Sequence, residues 1–172
     1  MYKQLYKQIK QKYQLAGTNV EIFEEVVKLI KTNTLGSNEK AIVLIKDNDL
    51  YSFEKQLHVR DCKSLVDLLW FAVYYSNNDI LAHLIKIYKT RDDLDINKQY
   101  NRERNKTALM MLVLKEDIKG IELILSHPKN DLSITNKTGK TVLELAEINN
   151  INKIKFILEA YRMKSLERFS FS

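Results

Sequence analysis

Three histidines, one cysteine and a short aspartate run are the residues in this 172-residue chain whose types suggest chemistry. His58, His83 and His127 lie in different expected units, and Cys62 is the one cysteine. A zinc site needs about four converging nitrogen or sulfur ligands, so no metal is expected. Asp92, Asp93 and Asp95 could chelate a cation, but the segment lacks the glycine and distal glutamate of a calcium loop. It reads as a solvated connection. Thr138-Gly139-Lys140-Thr141 ends like a phosphate-cradling loop, without the earlier glycine or the room for a preceding strand. No Ser/His/Asp or Cys/His set stands at catalytic spacing. Neither catalysis nor a cofactor is expected.

These residues sit in an ordinary globular composition, with 45% hydrophobic and 29% charged residues. Four glycines and one proline are too few turn formers for an all-β sandwich and favour helices. The formal charge of +6 could draw nucleic acid, an anionic membrane or an acidic protein. The lysines are spread over nearly every expected helix, as on a solvated face. A lone cysteine permits no intrachain disulfide, and the amino terminus has no signal-peptide core. The longest apolar stretch, Leu68 to Tyr75, is far short of the ~20 residues needed to span a bilayer. The chain reads as soluble and cytoplasmic.

Apolar residues recur at helical spacing in short segments. Leu5, Ile9 and Tyr13 mark a first helix, Tyr2 to Ala16, and Ile22, Val26, Leu29 and Ile30 a second, Asn19 to Lys31. Thr18 and Glu21 have capping-box spacing before the second. Asn33 to Asn38 reads as a break. Short helices in pairs with no strand between them call for a search for repeats.

Thr141-Val142-Leu143-Glu144-Leu145-Ala146 follows Asn136-Lys137-Thr138-Gly139-Lys140 and precedes Ile154, Ile157 and Leu158. Thr107-Ala108-Leu109, Leu112, Ile121, Ile124 and Leu125 repeat the pattern, as do Leu69, Ala72, Ile80 and Leu84. Ile42, Ile45, Phe53 and Leu57 make a weaker copy. The pattern resembles the ankyrin-repeat family, whose period is about 33 residues. The resemblance covers about residues 65–160. It implies an all-α solenoid of stacked antiparallel helix pairs, about five units in one domain. Residues 1–36 would be an amino-terminal capping pair, 37–64 a degenerate repeat, 65–160 three clearer repeats and 161–172 a cap or tail. Where the family has glycine between paired helices, this chain has Ser76, Glu116 and Asn150. Glu116 should be strained there or take another turn.

The resemblance implies binding through inner-helix ends and the loops, or fingers, between units. Inner-helix candidates are Tyr74, Tyr75, Leu114, Lys115, Ile148 and Asn149. Finger candidates are Glu103, Arg104, Lys106, Lys137, Thr138 and Lys140. Trp70 is assigned to the core. The function expected is a protein-protein interaction module, with an effector or viral protein acting on a host protein as one version. In that version the chain would be delivered into a host cell. The partner would be a protein, with acidic character one option. The alternative is a nucleic-acid binder using Lys98, Arg102, Arg104, Lys106, Lys137 and Lys140, with salt-sensitive affinity. If Leu109 and Leu143 line the joints between inner helices, Leu109→Asp and Leu143→Asp should each unfold the carboxy-terminal units, as thermal melts would show.

Overall fold

The computed structural model describes residues 19–59 and 62–170. The order is α1 (Asn19–Thr32), α2 (Leu35–Asp47), β1 (Lys55–Val59), β2 (Cys62–Val66), α3 (Leu68–Tyr74), α4 (Asn78–Tyr88), α5 (Ala108–Leu114), α6 (Ile118–Leu125), α7 (Val142–Ile148) and α8 (Asn152–Ser170). The expected helix Tyr2 to Ala16 and the Thr18 cap lie outside the described residues. The described helices form four pairs, α1/α2, α3/α4, α5/α6 and α7/α8. Inner helices α1, α3, α5 and α7 stack in that order, and outer helices α2, α4 and α6 stack beside them.

Two expectations change in the amino-terminal half. The Asn33–Asn38 break is the start of a helix: Thr34 caps α2, exchanging hydrogen bonds with Ser37 in a capping box. The helix Asn19–Thr32 therefore pairs with the segment after it, Leu35–Asp47. The helix expected around Phe53 and Leu57 is extended instead. Asp49 turns left-handed at φ 46°, a 3₁₀ turn spans Leu50–Ser52, and β1 then pairs antiparallel with β2 from Lys55↔Val66 to Val59↔Cys62. This hairpin occupies the place of a finger before inner helix α3, and it carries His58 and Cys62. At the other end, the segment from residue 161 continues α8 as helix to Ser170.

The core runs through the stack. Leu69, Ala72, Leu109, Leu112 and Ala146 are buried on the inner helices, and Ile80, Leu84, Ile121, Ile124, Ile154 and Leu158 on the outer ones. Leu109 is 4% exposed, so Leu109→Asp keeps its expected effect. Leu143 is only half-buried. In α7, Glu144 and Glu147 take the places that buried Met110 and Val113 hold in α5. Beside them Leu143 sits on a partly wet face, so Leu143→Asp should do less damage than Leu109→Asp.

Polar side chains tie each pair to the next through backbone and side-chain groups. Asn77, fully buried, donates to the Ile30 carbonyl at 2.9 Å and to Asn38 Oδ1 at 2.8 Å, and it accepts the Ile80 amide. Asn78 donates to Asp117, the cap of α6. His127 binds the Tyr88 carbonyl through Nε2 at 3.1 Å while Nδ1 accepts from the Lys129 amide. These contacts assign its proton to Nε2. A repeat array is held by such nearest-neighbour contacts.

The turn inside each of the last three pairs has one geometry. Ser76, Glu116 and Asn150 are left-handed, at φ 53°, 56° and 57°. The residue after each donates its amide five positions back, Asn77 to Ala72, Asp117 to Leu112 and Ile151 to Ala146. This is a Schellman closure. A left-handed backbone costs most side chains about 1–2 kcal/mol, and asparagine less. Glu116→Gly should therefore stabilise the protein by about 1 kcal/mol in urea unfolding, after offsetting the added freedom of the unfolded chain. Asn150→Gly should gain less. A loss of stability in Glu116→Gly would contradict the strain.

Candidate functional site

Inner helices α3, α5 and α7 begin at equivalent caps. Thr107 accepts from the Met110 amide, Thr141 and Glu144 form a capping box, and Asp67 accepts from the Trp70 amide. Fixed starts and equal lengths of seven residues bring their last residues into register. Those residues are Tyr74, Leu114 and Ile148, which are 46%, 38% and 59% exposed. The next residue along, Tyr75, Lys115 or Asn149, is the carboxy-terminal cap. These caps have structural tasks. Tyr75 is half-buried and stacks on Phe71, Lys115 Nζ donates to the Val73 and Tyr74 carbonyls at 2.8 and 2.6 Å, and Asn149 donates to the Leu145 carbonyl.

The two fingers before α5 and α7 lean on each other. In the first, Tyr100 and Lys106 pair as an antiparallel bridge, and Arg104 and Asn105 turn left-handed at its tip. In the second, Asn136 Oδ1 accepts the Thr138 and Lys140 amides, and Gly139 takes φ 72°. The Lys137 amide donates to the Arg104 carbonyl at 2.9 Å. Arg104, Lys137 and Thr138 are exposed, while Glu103, Lys106 and Lys140 are half-buried. Lys140 stands 3.9 Å from Glu144.

A depression of about 470 Å³ lies between the first finger and the inner helices. Tyr74, Glu103, Lys106, Leu114 and Lys115 line it together with Met111. It thus joins inner-helix and finger candidates in one concavity, whereas Tyr75, Ile148, Asn149, Arg104, Lys137, Thr138 and Lys140 lie outside its lining. Sequence reasoning missed Met111. It belongs to the helix interior by spacing and is buried, yet it contributes to the lining. Trp70, buried as expected, stacks on Tyr74 at 4.6 Å between ring centroids. Arg102 stands over Trp70 at 5.5 Å and Lys115 over Tyr74 at 5.8 Å. Such cation–aromatic contacts help hold the Tyr74 ring in place.

The first finger is rooted in a buried polar group that sequence reasoning also missed. Besides capping α3, Asp67 accepts from the Tyr100 hydroxyl at 2.9 Å and from Lys98 Nζ at 3.0 Å. Burial works against the Lys98 ammonium, but Asp67 and Glu54 outweigh it and raise its pKa. Burial, then Asp67, pushes the Tyr100 phenol well above its usual value, so it remains a donor. The signal was an Asp immediately before Leu68-Leu69, in the place that Thr107 and Thr141 occupy later.

The remaining chemistry-bearing residues are engaged structurally. His83 Nε2 lies 3.0 Å from the Tyr51 hydroxyl, and burial lowers the His83 pKa. Asp92 pairs with Lys129, Asp93 with Arg91, and Asp95 accepts the Asn97 amide. Among the described residues no three His, Cys, Asp or Glu side chains come together to hold a metal. No described helix is long and apolar enough to cross a membrane.

Stacked helix pairs, Schellman turns and projecting fingers define an ankyrin-like helical repeat protein. In agreement, 90 residues of the chain are 33% identical to a putative ankyrin repeat protein of Acanthamoeba polyphaga mimivirus. The match covers 52% of this chain but 11% of that relative, so the chain spans about a tenth of its length. No family model matches the chain. Ankyrin-type repeats are typically non-enzymatic and generally bind proteins.

Asp67→Ala removes a cap worth ~1 kcal/mol and orphans the buried Tyr100 hydroxyl at a further ~1–3 kcal/mol. Urea unfolding should show a loss of at least ~2 kcal/mol, and hydrogen exchange in residues 95–106 should quicken. Asp67→Asn, whose amide oxygen can still accept, should lose less. Equal losses would contradict hydrogen-bond acceptance at this position as a source of stability.

Proposed function

We propose that the chain is a non-catalytic module that binds a partner protein across the concave strip of Tyr74, Leu114 and Ile148 and the adjoining finger rim. One observation carries this reading. Three large apolar or aromatic side chains stand exposed at equivalent ends of three stacked helices, while their neighbours Tyr75, Lys115 and Asn149 are used in packing and capping. Single exposed apolar residues mean little, but a row of them flanked by a depression is a surface that gains from being covered. Tyrosine adds area and a polar tip to such a contact. A phosphate-backbone partner has less to recommend it: Lys98 is held by Asp67 and Glu54, and Arg102 lies over Trp70. The surplus of basic residues therefore does not run as an open track through these positions.

The test is the double variant Leu114→Ser with Ile148→Ser. Affinity should be measured by calorimetry against a protein captured with the whole chain from nuclease-treated lysate. Binding should weaken by at least ~1 kcal/mol, the level at which interface residues count as important. The melting temperature should hardly move, because both side chains are exposed. Unchanged affinity would remove the strip from the interface.

A further inference from the structure

We infer that the depression beside Tyr74 receives one large apolar side chain from an acidic segment of a partner protein. The inference rests on the concave-strip reading and adds the chemistry of the ligand. Tyr74, Met111 and Leu114 supply the apolar part of the lining, and about 470 Å³ accommodates an aromatic or leucine side chain with room to spare. The lining is preorganised: Trp70 stacks on Tyr74, and the Lys115 ammonium is fixed on two carbonyls of the preceding unit. A surface already ordered loses little entropy on binding.

The charge around this floor is mainly positive. Lys106 and Lys115 line the depression, and Arg104 and Lys137 stand where the two fingers touch. The carboxylates nearby are Glu103 in the lining and Asp117, which acts on Lys115, so cations outnumber anions four to two. Lys106 Nζ has neither an ion-pair nor a hydrogen-bond partner among the described residues. Partial burial lowers the Lys115 pKa, and a carboxylate brought near it would favour its charged form. Acidic residues flanking an apolar anchor satisfy both features. A nucleobase suits the site poorly, since Trp70 covers one face of Tyr74 and Lys115 stands over the ring.

The probe is a library of short random peptides displayed on phage and selected against the whole chain. Enriched peptides are then measured by fluorescence anisotropy. Enrichment of a single Leu, Phe, Tyr or Trp flanked by Asp and Glu is the expected result. Lys106→Glu, a change at the finger outside the apolar core, should weaken these peptides by about tenfold, and raising salt should do the same. Leu114→Ser should abolish their enrichment. Peptides that bind through Leu114 but carry neutral or basic flanks would overturn this inference while leaving the concave-strip reading intact. Failure of any peptide to enrich, or insensitivity of the enriched ones to Lys106→Glu, would also overturn it. So would displacement of the peptides by a single-stranded oligonucleotide that binds more tightly than they do.

Discussion

No helix pair in this protein can bury its own apolar stripe, and everything else in the structure follows from that shortage. Helices α3, α5 and α7 have seven residues each, too short to persist alone in water. They exist because each lies between neighbours that cover both sides. The buried residues Leu69, Ala72, Leu109 and Leu112 are therefore shared between units. Asn77, Lys115 and His127 add a second tie by bonding to backbone carbonyls of the unit before them. Such bonds fix the spacing of units as well as their attachment, because a backbone carbonyl cannot move without its helix.

The candidate site is a consequence of this stacking. When helices of equal length start at equivalent caps, their final residues stand in a row, and stacking alone gives those residues nothing to pack against. Tyr74, Leu114 and Ile148 are that row. The fingers then enclose part of it, because Asp67 roots the first finger through Tyr100 and Lys98, and the second leans on the first through Lys137 and Arg104. The depression is thus built from residues distant in sequence whose positions depend on one buried carboxylate.

Much of this was legible before any coordinates. Thr107 and Thr141 stand at the same point of the repeat pattern, each before an apolar run, and each caps the helix that follows. Glu116 was recognisable as strained because its place in the repeat demands a left-handed backbone whatever residue fills it. The errors have physical causes too. Phe53 and Leu57 stand four apart, a spacing that suits a helix, but the left-handed Asp49 and the pairing of Lys55–Val59 with Cys62–Val66 decide for extended chain. Leu35-Gly36 looked like a break, yet Thr34 and Ser37 cap each other and start α2 there. Leu143 matched Leu109 by spacing, but Glu144 and Glu147 leave the face around it partly wet. Asp67 and Met111 escaped notice because their roles arise only when a finger folds onto a helix, which periodicity within one segment does not encode.

The central claim is that stacking presents one strip of the surface to a partner. The protein offers a rival apolar patch, since Phe156 and Met163 on α8 are 72% and 56% exposed. Methyl NMR of the chain labelled at Ile, Leu and Met, titrated with a bound peptide or protein, separates the two directly. The account predicts that the largest shift changes fall on Met111, Leu114 and Ile148, with the methyls of α8 nearly unmoved. Changes centred on Ile157 and Met163, with Leu114 silent, would contradict it.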